Sequence, residues 1–329
     1  MFPIFKLPFV ALRQILDTFE FKDLVLLSFC SSRTCQILKM TRSMTIGLEL
    51  QADCVDGIIY VALKGRIWRV LKAAKQDSTC ITSKGTVKIR EMTLPLGEVQ
   101  DGESLYSPRY MAPFWNDPVL GFQTIMEYLR DLFRVDIHTI GFGRNTFWIV
   151  DWIQQRQNGV QRAYTESYKS WSSEEYDNVL KTCKARELDL NSIPGDDFQY
   201  TGGLEGRERI DILYGKWITL EILLEINVPD IKVGSSHLTN NDVNQLLKKW
   251  LAGGLPKLKY LYLYHKKTHA GEILDGLNVE AKPVRTYKRY GWNHEFKENK
   301  ELQRCDGATA SIIVTPSTFT FALWPHSND

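Results

Sequence analysis

Beyond residue 133 the chain alternates short strand-like segments with segments of helical periodicity, and this alternation constrains the fold most strongly. The strand-like segments begin at intervals of roughly 20 to 30 residues. That is the period of solenoids in which each strand-and-helix unit buries its apolar side against its neighbours. This region therefore predicts a solenoid-like β-α array of the leucine-rich-repeat kind. An ordinary three-layer α/β domain is the alternative, because the repeats are irregular.

The alternation places each predicted element within a few residues. Strands are predicted over 134–142, 160–168, 187–193, 209–215, 230–236 and 258–265. Helices are predicted over 146–157, 172–183, 218–226, 238–253 and 269–277, and no clear helix follows the strand at 187–193. Residues 311–324 are predicted to form a terminal strand pair that covers the edge of the array.

The clearest strand-and-helix unit lies within residues 233–263. Ser236 or Thr239 can cap its helix, and Gly253 can end that helix in the left-handed conformation. Apolar side chains at spacings of three and four residues form the predicted inner stripe of the helix: Val243, Leu246, Leu247 and Trp250.

Three tyrosines alternate with leucines in the strand that follows this helix. Tyr260, Tyr262 and Tyr264 share one face of the strand, and Leu261 and Leu263 share the other. One strand face of a solenoid is accessible to solvent, and tyrosine is favoured at protein interfaces. We therefore expect the three tyrosines to bind a protein target, the alternative being an ordinary packed sheet face.

Residues 46–118 have a different composition, with two β-prone stretches that each contain a central Lys-Gly pair. The pairs are Lys64-Gly65 and Lys84-Gly85, and glycine supplies the positive φ that a tight turn needs. This pattern predicts two hairpins in a small antiparallel β region. Residues 94–118 are rich in glycine, proline and aspartate, so we expect a connection and a domain boundary there.

The first 40 residues are unusually apolar, yet they fit neither a signal peptide nor a membrane span. Lys6, Pro8, Arg13 and Asp17 interrupt the apolar runs, and no window reaches the roughly 20 apolar residues that a spanning helix needs. The spacing predicts three short helices instead. A module this small rarely supplies its own stable core, so we expect another surface to cover it.

Leu7-Pro8, Ile15-Leu16, Asp23-Leu24, Leu27-Ser28 with Cys30-Ser31, and Leu38 follow one another in an order that resembles an F-box. In that family the module docks on a Skp-type adaptor of a cullin-based ubiquitin ligase. The resemblance implies that six residues contact the adaptor: Leu7, Pro8, Ile15, Leu16, Leu24 and Leu27.

The stretches "GKWITLEILLEIN", "LTNNDVNQLLKKWLAGGLPKLKYLYL" and "VRTYKRY" are similar to the type-2 F-box-associated region of a large F-box family that is expanded in nematodes. In that family this region follows the F-box and is thought to present the target-binding surface. The resemblance implies a substrate receptor of an SCF-type ligase, with an F-box over 1–45, a β-rich linker over 46–118 and an associated repeat-like domain over 119–329.

The composition and the motifs that are missing argue against several other classes of protein. The net charge of +2 is too small and too dispersed to indicate nucleic acid as a partner, and the six scattered cysteines contain no C-x-x-C pair. No phosphate-binding, dinucleotide-binding or hydrolase motif is present. We therefore expect a non-catalytic protein without cofactor or metal, located in the cytoplasm or nucleus and not in a membrane.

Two other interpretations stay open from the sequence. One is a repeat-based binding scaffold that is unrelated to ubiquitin, with its N-terminal helices as a cap on its own core. The other is an α/β enzyme whose site has no known motif; a deep pocket with converging polar groups would indicate it.

Overall fold

A computed structural model describes residues 4–41, 47–76, 78, 82–100, 109–200, 202–204, 206–264, 267–289, 292–297 and 300–324. The chain divides into two compact units, residues 1–160 and 161–329. The predicted mixture of α and β structure is confirmed, with short N-terminal helices followed by extensive sheet.

The first unit begins with the helical module that the sequence predicts. A single 3-10 turn, Ile4–Lys6, precedes three short helices: α1 (Phe9–Leu16), α2 (Phe21–Ser28) and α3 (Ser32–Thr41). Pro8 stands immediately before α1, where its missing N–H costs no helical hydrogen bond. Asp23 lies in the first turn of α2, where a carboxylate favours the helix dipole.

An antiparallel meander follows, and it confirms the first predicted hairpin. Its strands are β1 (Leu48–Asp53), β2 (Ile58–Leu63) and β3 (Arg66–Lys72). Lys64 and Gly65 join β2 to β3 with φ angles of 51° and 77°. Two consecutive positive φ values match the twist of a two-residue hairpin, which explains why a Lys-Gly pair marks this turn.

The second hairpin does not turn at Lys84-Gly85 as predicted. The connection predicted over 94–118 is wrong for residues 94–100 and 109–115, which lie in strands, and its residues 101–108 lie outside the described residues. The strands here are β4 (Ala74–Lys75), β5 (Thr82–Ile89), β6 (Met92–Gln100) and β7 (Arg109–Trp115). β5 runs through Gly85 (φ 97°), where the register between β5 and β6 shifts, and the chain turns at Arg90 (φ 54°). Pro95 is tolerated in β6 because pairing with β7 begins only at Leu96.

The first unit also contains a long helix that the sequence analysis did not identify. It is α4 (Pro118–Phe133), and it is followed by β8 (Ile137–Phe142) and α5 (Trp148–Gln154). The Asp117 carboxylate caps α4 by accepting hydrogen bonds from the backbone N–H groups of Val119 (2.9 Å) and Leu120 (3.1 Å). β8 pairs in parallel with β1, which extends the meander by one strand.

The second unit contains five parallel strands that lie side by side in chain order: β9 (Arg162–Thr165), β10 (Glu187–Leu190), β11 (Arg209–Ile212), β12 (Asp230–Val233) and β13 (Tyr260–Tyr264). The helices of this unit are α6 (Ser173–Thr182), α7 (Leu220–Glu225), α8 (Asn240–Leu251) and α9 (Ala270–Ile273). Every strand and helix predicted between residues 134 and 277 is confirmed. The absence of a helix between β10 and β11 is also confirmed for the described residues of that segment.

The unit around α8 agrees with its sequence in detail. Thr239, not Ser236, caps the helix: its hydroxyl accepts a hydrogen bond from the Asp242 N–H at 3.2 Å. Gly253, with φ 87°, follows the helix end. The predicted inner stripe is buried: Val243, Leu246, Leu247 and Trp250.

Antiparallel strands complete the second unit: β14 (Glu280–Ala281), β15 (Arg285–Arg289), β16 (Trp292–Phe296), β17 (Lys300–Gln303), β18 (Thr309–Val314) and β19 (Thr318–Leu323). β18 and β19 form the predicted terminal pair, and β19 lies antiparallel to β13. The sheet of this unit is therefore mixed, and a leucine-rich-repeat solenoid is not confirmed. β19, β18, β17 and β14 continue the sheet beyond β13, whereas β15 and β16 form a separate hairpin. A period of strand-and-helix units does not indicate this antiparallel continuation.

Candidate partner-binding surfaces

The inner side of the helical module is covered by its own chain. The ring of Phe21 in α2 lies 5.0 Å from that of Trp68 in β3 and 5.9 Å from that of Phe133 in α4. Leu24 and Val25 are buried on the same helix. The cover that the sequence requires is thus partly internal, because β3 and α4 supply apolar surface to α2.

Tyr128 of α4 holds α2 and α3 from the same side. Its hydroxyl donates to Ser28 Oγ at 2.8 Å and lies 3.5 Å from Cys35 Sγ, and its ring is 5.2 Å from that of Phe29. Burial raises the pKa of Tyr128, so it acts as a neutral hydrogen-bond donor. The module is therefore positioned by specific contacts with α4.

The six residues implied to bind an adaptor differ in accessibility. Leu16 and Leu24 are buried within the first unit. The others are at least partly accessible: Pro8 is exposed, and Leu7, Ile15 and Leu27 are half-buried. Any direct contact with a partner can therefore involve the second group, whereas Leu16 and Leu24 act by shaping the module. The binding role of all six stays a prediction.

Two exposed apolar residues that the sequence analysis did not select lie next to Leu7 and Pro8. Phe9 and Val10 form the first turn of α1, directly after Leu7-Pro8, with exposures of 55% and 68%. Their position next to Leu7-Pro8 was the available signal. Contiguous exposed apolar side chains mark a site of interaction more often than isolated ones do.

The five parallel strands of the second unit have one apolar and one polar face. The apolar face is fully buried and includes Leu188, Ile210, Ile231 and Leu261. Phe321 of β19 lies opposite Leu261, and its ring is 5.1 Å from that of Trp250 in α8. α8 therefore packs on the apolar side, and the alternate residues point to the other face.

The polar face, which we call the charged ladder, consists of two rows of side chains in register across the strands. The first row is Arg162, Glu187, Arg209, Asp230 and Tyr260. The second row is Tyr164, Asp189, Asp211, Lys232 and Tyr262. Opposite charges alternate along the first row, and the second row places two aspartates side by side.

Arg209 stands at the centre of the charged ladder. Its guanidinium nitrogens lie 3.5 Å from Glu187, 3.3 Å from Asp189 and 3.2 Å from Asp211. Burial disfavours its charge, but the carboxylates of Asp189 and Asp211 outweigh that effect and raise the pKa of Arg209. One cation thus bridges the two neighbouring aspartates, whose direct opposition would otherwise destabilise the sheet.

Further ion pairs extend the network towards both edges. Arg162 Nε donates to Asp189 at 2.8 Å, and Lys232 Nζ lies 3.7 Å from Asp211. The ladder holds three cations (Arg162, Arg209 and Lys232) against four carboxylates (Glu187, Asp189, Asp211 and Asp230), which is a formal charge of −1. Asp189, Arg209 and Asp230 are buried, so the charged groups of the ladder that a partner can reach are Arg162, Glu187, Asp211 and Lys232.

The three tyrosines that were predicted to bind a target lie on the ladder side of β13, but they differ in solvent exposure. Tyr260 is buried beneath Tyr287 of the β15–β16 hairpin, with their rings stacked at 5.7 Å. Tyr262 is half-buried, and Tyr264 is 48% exposed. Burial raises the pKa of both Tyr260 and Tyr262. Only Tyr262 and Tyr264 can meet a partner directly, and their binding role stays a prediction.

Across the described residues, no group of three or more His, Cys, Asp or Glu side chains is arranged to hold a metal ion. Among the helices described, none is long and apolar enough to span a bilayer.

Two parts of this chain match known protein families. Residues 4–45 match the F-box domain, and residues 206–263 match the F-box associated family. The first match contains α1 to α3, and the second contains the strands β11 and β12 of the charged ladder. No solved structure matches.

A curated relative is the Skn-1 dependent zygotic transcript 15 protein of Caenorhabditis elegans, which is 23% identical over 201 residues. The aligned region covers 57% of this chain and 58% of the relative, so the chain spans little more than half of that protein's length.

Proposed function

We propose that this chain, which carries an N-terminal F-box domain followed by an F-box associated domain, is the substrate receptor of an SCF-type cullin ubiquitin ligase. The observation that carries the proposal is the exposed apolar turn from Leu7 to Val10, within the F-box match. The receptor is non-catalytic in this proposal, since the ligase transfers ubiquitin elsewhere. We also propose that the protein is located in the cytoplasm or nucleus.

The apolar turn is suited to bind a Skp-type adaptor. α2 and α3 are held by β3 and α4, so their inner sides are occupied and the outer side of α1 is left for a partner. Phe9 and Val10 are exposed there, beside the half-buried Leu7. Burying an exposed apolar side chain of this size contributes about 1.5 to 3 kcal/mol.

The charged ladder and Tyr264 are the surface that we propose for the target protein. This surface lies outside the F-box match and partly inside the F-box associated match. Its polar groups are fixed by the register of five strands, which suits specific recognition more than raw affinity. The division into domains at 1–45, 46–118 and 119–329 stays a prediction.

The adaptor interface is tested by replacing Phe9 and Val10 together with serine and measuring binding to a purified Skp-type adaptor by calorimetry. We expect the dissociation constant to rise at least tenfold, since each residue loses about 1.5 kcal/mol or more of apolar burial. Val284→Ser is the matched control, because Val284 is an exposed apolar residue of the second unit. Equal affinities for the two variants would contradict the proposed interface.

A scaffold unrelated to ubiquitin is the second candidate, and the packing of α2 and α3 on their own chain favours it. Deleting the module does not distinguish the two functions. Trp68 and Phe133 lose their cover in either case, so a truncated chain is destabilised under both. Adaptor binding by the intact chain distinguishes them, because the scaffold predicts none.

A further inference from the structure

An open cleft of about 850 Å³ lies between α7 and the segment that joins β10 to β11 in the second unit. Ligand sites in proteins commonly have volumes of roughly 300 to 1,000 Å³. None of its lining residues belongs to the charged ladder. The residues that matter most for its chemistry are Tyr200, Lys216, Trp217, Glu221, Ile222 and Glu225.

The floor of the cleft is aromatic and firmly packed. The Trp217 ring lies 5.9 Å from that of Tyr200 and 5.2 Å from that of Phe198, both in edge-to-face arrangements. Trp217 is only 7% exposed. Gly202 lies against this floor, because a Cβ there would come within 2.5 Å of the Tyr200 hydroxyl. The floor is therefore preformed.

The rim of the cleft carries two carboxylates on one side. Glu221 and Glu225 are exposed and lie four residues apart on α7. Hydrogen bonds from its own backbone N–H and from the Thr219 hydroxyl lower the pKa of Glu221, so its carboxylate is ionised. Like charges at this spacing repel and destabilise a helix. Lys216 is the cation among the described lining residues, which together carry a formal charge of −1. A cation placed between the two glutamates would remove their repulsion.

We propose that this cleft binds a lysine or arginine side chain of an extended segment from a protein partner. The aliphatic stem would pack on Ile222 and the aromatic floor, and the charged end would bind Glu221 and Glu225. The cleft is several times larger than one side chain, so apolar neighbours of the basic residue would fill the remainder. Charge complementarity with the glutamates argues for this occupant.

The test uses the full chain and capped peptides of sequence Gly-Leu-X-Leu-Gly, with Lys, Arg, Met or Glu at X, measured by calorimetry. We expect the Lys and Arg peptides to bind about tenfold more tightly than the Met peptide, whose side chain has similar length and no charge. The Glu peptide should not bind detectably.

The variant Glu221→Gln/Glu225→Gln should weaken the Lys and Arg peptides about tenfold and leave the Met peptide unchanged. The matched control is Glu174→Gln/Asp275→Asn, which removes two exposed carboxylates of the same unit outside the cleft. Circular dichroism checks that both variants melt as the parent does. Should either variant melt early, Glu225→Gln alone replaces the pair, with Glu174→Gln as its control.

Three results would overturn the proposal: equal affinity for the Lys and Met peptides, no effect of the glutamate variant, or binding of spermine without binding of any peptide. The last would indicate a polyamine site instead of a docking site. Adaptor affinity, measured in parallel, should be unchanged in the glutamate variant. Failure of this inference is therefore distinguishable from failure of the proposed ligase function.

Discussion

Replacing Arg209 with methionine should destabilise the second unit by about 3 kcal/mol. The substitution keeps an unbranched side chain of similar length and removes only the cation that joins Glu187, Asp189 and Asp211. Removing one partner of a buried pair typically costs 3 to 5 kcal/mol, because the remaining charge stays buried without compensation.

The structure places the cost near the lower end of that range. The side chains of Arg209 and Asp189 are 11% and 6% exposed, so the Asp189 carboxylate cannot be rehydrated in place. Asp189 nevertheless keeps its contact with Arg162, and Asp211 is exposed enough to recover water. Most of the predicted loss therefore arises from the buried charge of Asp189 and from the repulsion between Asp189 and Asp211, which Arg209 no longer offsets.

Urea unfolding followed by far-ultraviolet circular dichroism measures the effect. Arg186→Met is the matched control: Arg186 lies just before β10, its side chain is 65% exposed, and its nitrogen is 3.5 Å from Glu208. Exposed pairs of this kind contribute at most about 1 kcal/mol. If Arg209→Met costs no more than Arg186→Met, the central role of Arg209 is refuted. A double variant that also changes Asp189 to Leu should recover part of the loss.

Two further outcomes follow from single contacts. Tyr128→Phe should lower the free energy of unfolding by about 1 kcal/mol, because it removes the hydrogen bond to Ser28, and limited proteolysis should cut near α2 earlier than in the parent. Burial raises the pKa of Cys54 and Cys183, so both thiols stay neutral in the folded chain at a pH where the unfolded chain ionises. The contribution of these two thiols to the free energy of unfolding should accordingly be constant below about pH 8.5 and fall above it, and iodoacetamide should label the exposed Cys30 and Cys305 before Cys54 and Cys183.

The second unit shows what local sequence patterns predict well. The apolar stripe of α8 and the Thr239 cap are determined by residues close together in the chain, so periodicity alone locates the helix. The alternation of Tyr260 and Leu261 similarly identifies two faces of β13. Local order of this kind needs no knowledge of distant contacts.

The errors in the first unit arise where tertiary pairing decides between local signals. Gly85 suggested a turn, but the paired length of β6 carries β5 past it to Arg90. Pro95 and Gly97 suggested a loop, but the sheet accepts Pro95 because one edge of β6 is unpaired there. Neither fact can be derived from the identity of the turn residues.

The candidate surfaces were predictable only in part, for the same reason. Sequence periodicity puts Tyr260 on an accessible face, but Tyr287, 27 residues later, covers it. The module was expected to need a cover, yet its sequence does not reveal that β3 and α4 cover α2. Phe9 and Val10 become candidates once that packing shows which side remains open.

The charged ladder links the proposed target surface to the stability of the fold. Arg162, Glu187, Arg209 and Asp230 are 21 to 25 residues apart in the sequence and meet only through the register of four strands. A slip of one residue in β11 would turn Arg209 into the apolar face beside α8 and Ile210 into the charged ladder. The ion pairs and the apolar core therefore select the same register. Substitutions at the buried centre of this face should alter stability, whereas changes at the exposed Tyr264 can alter recognition alone.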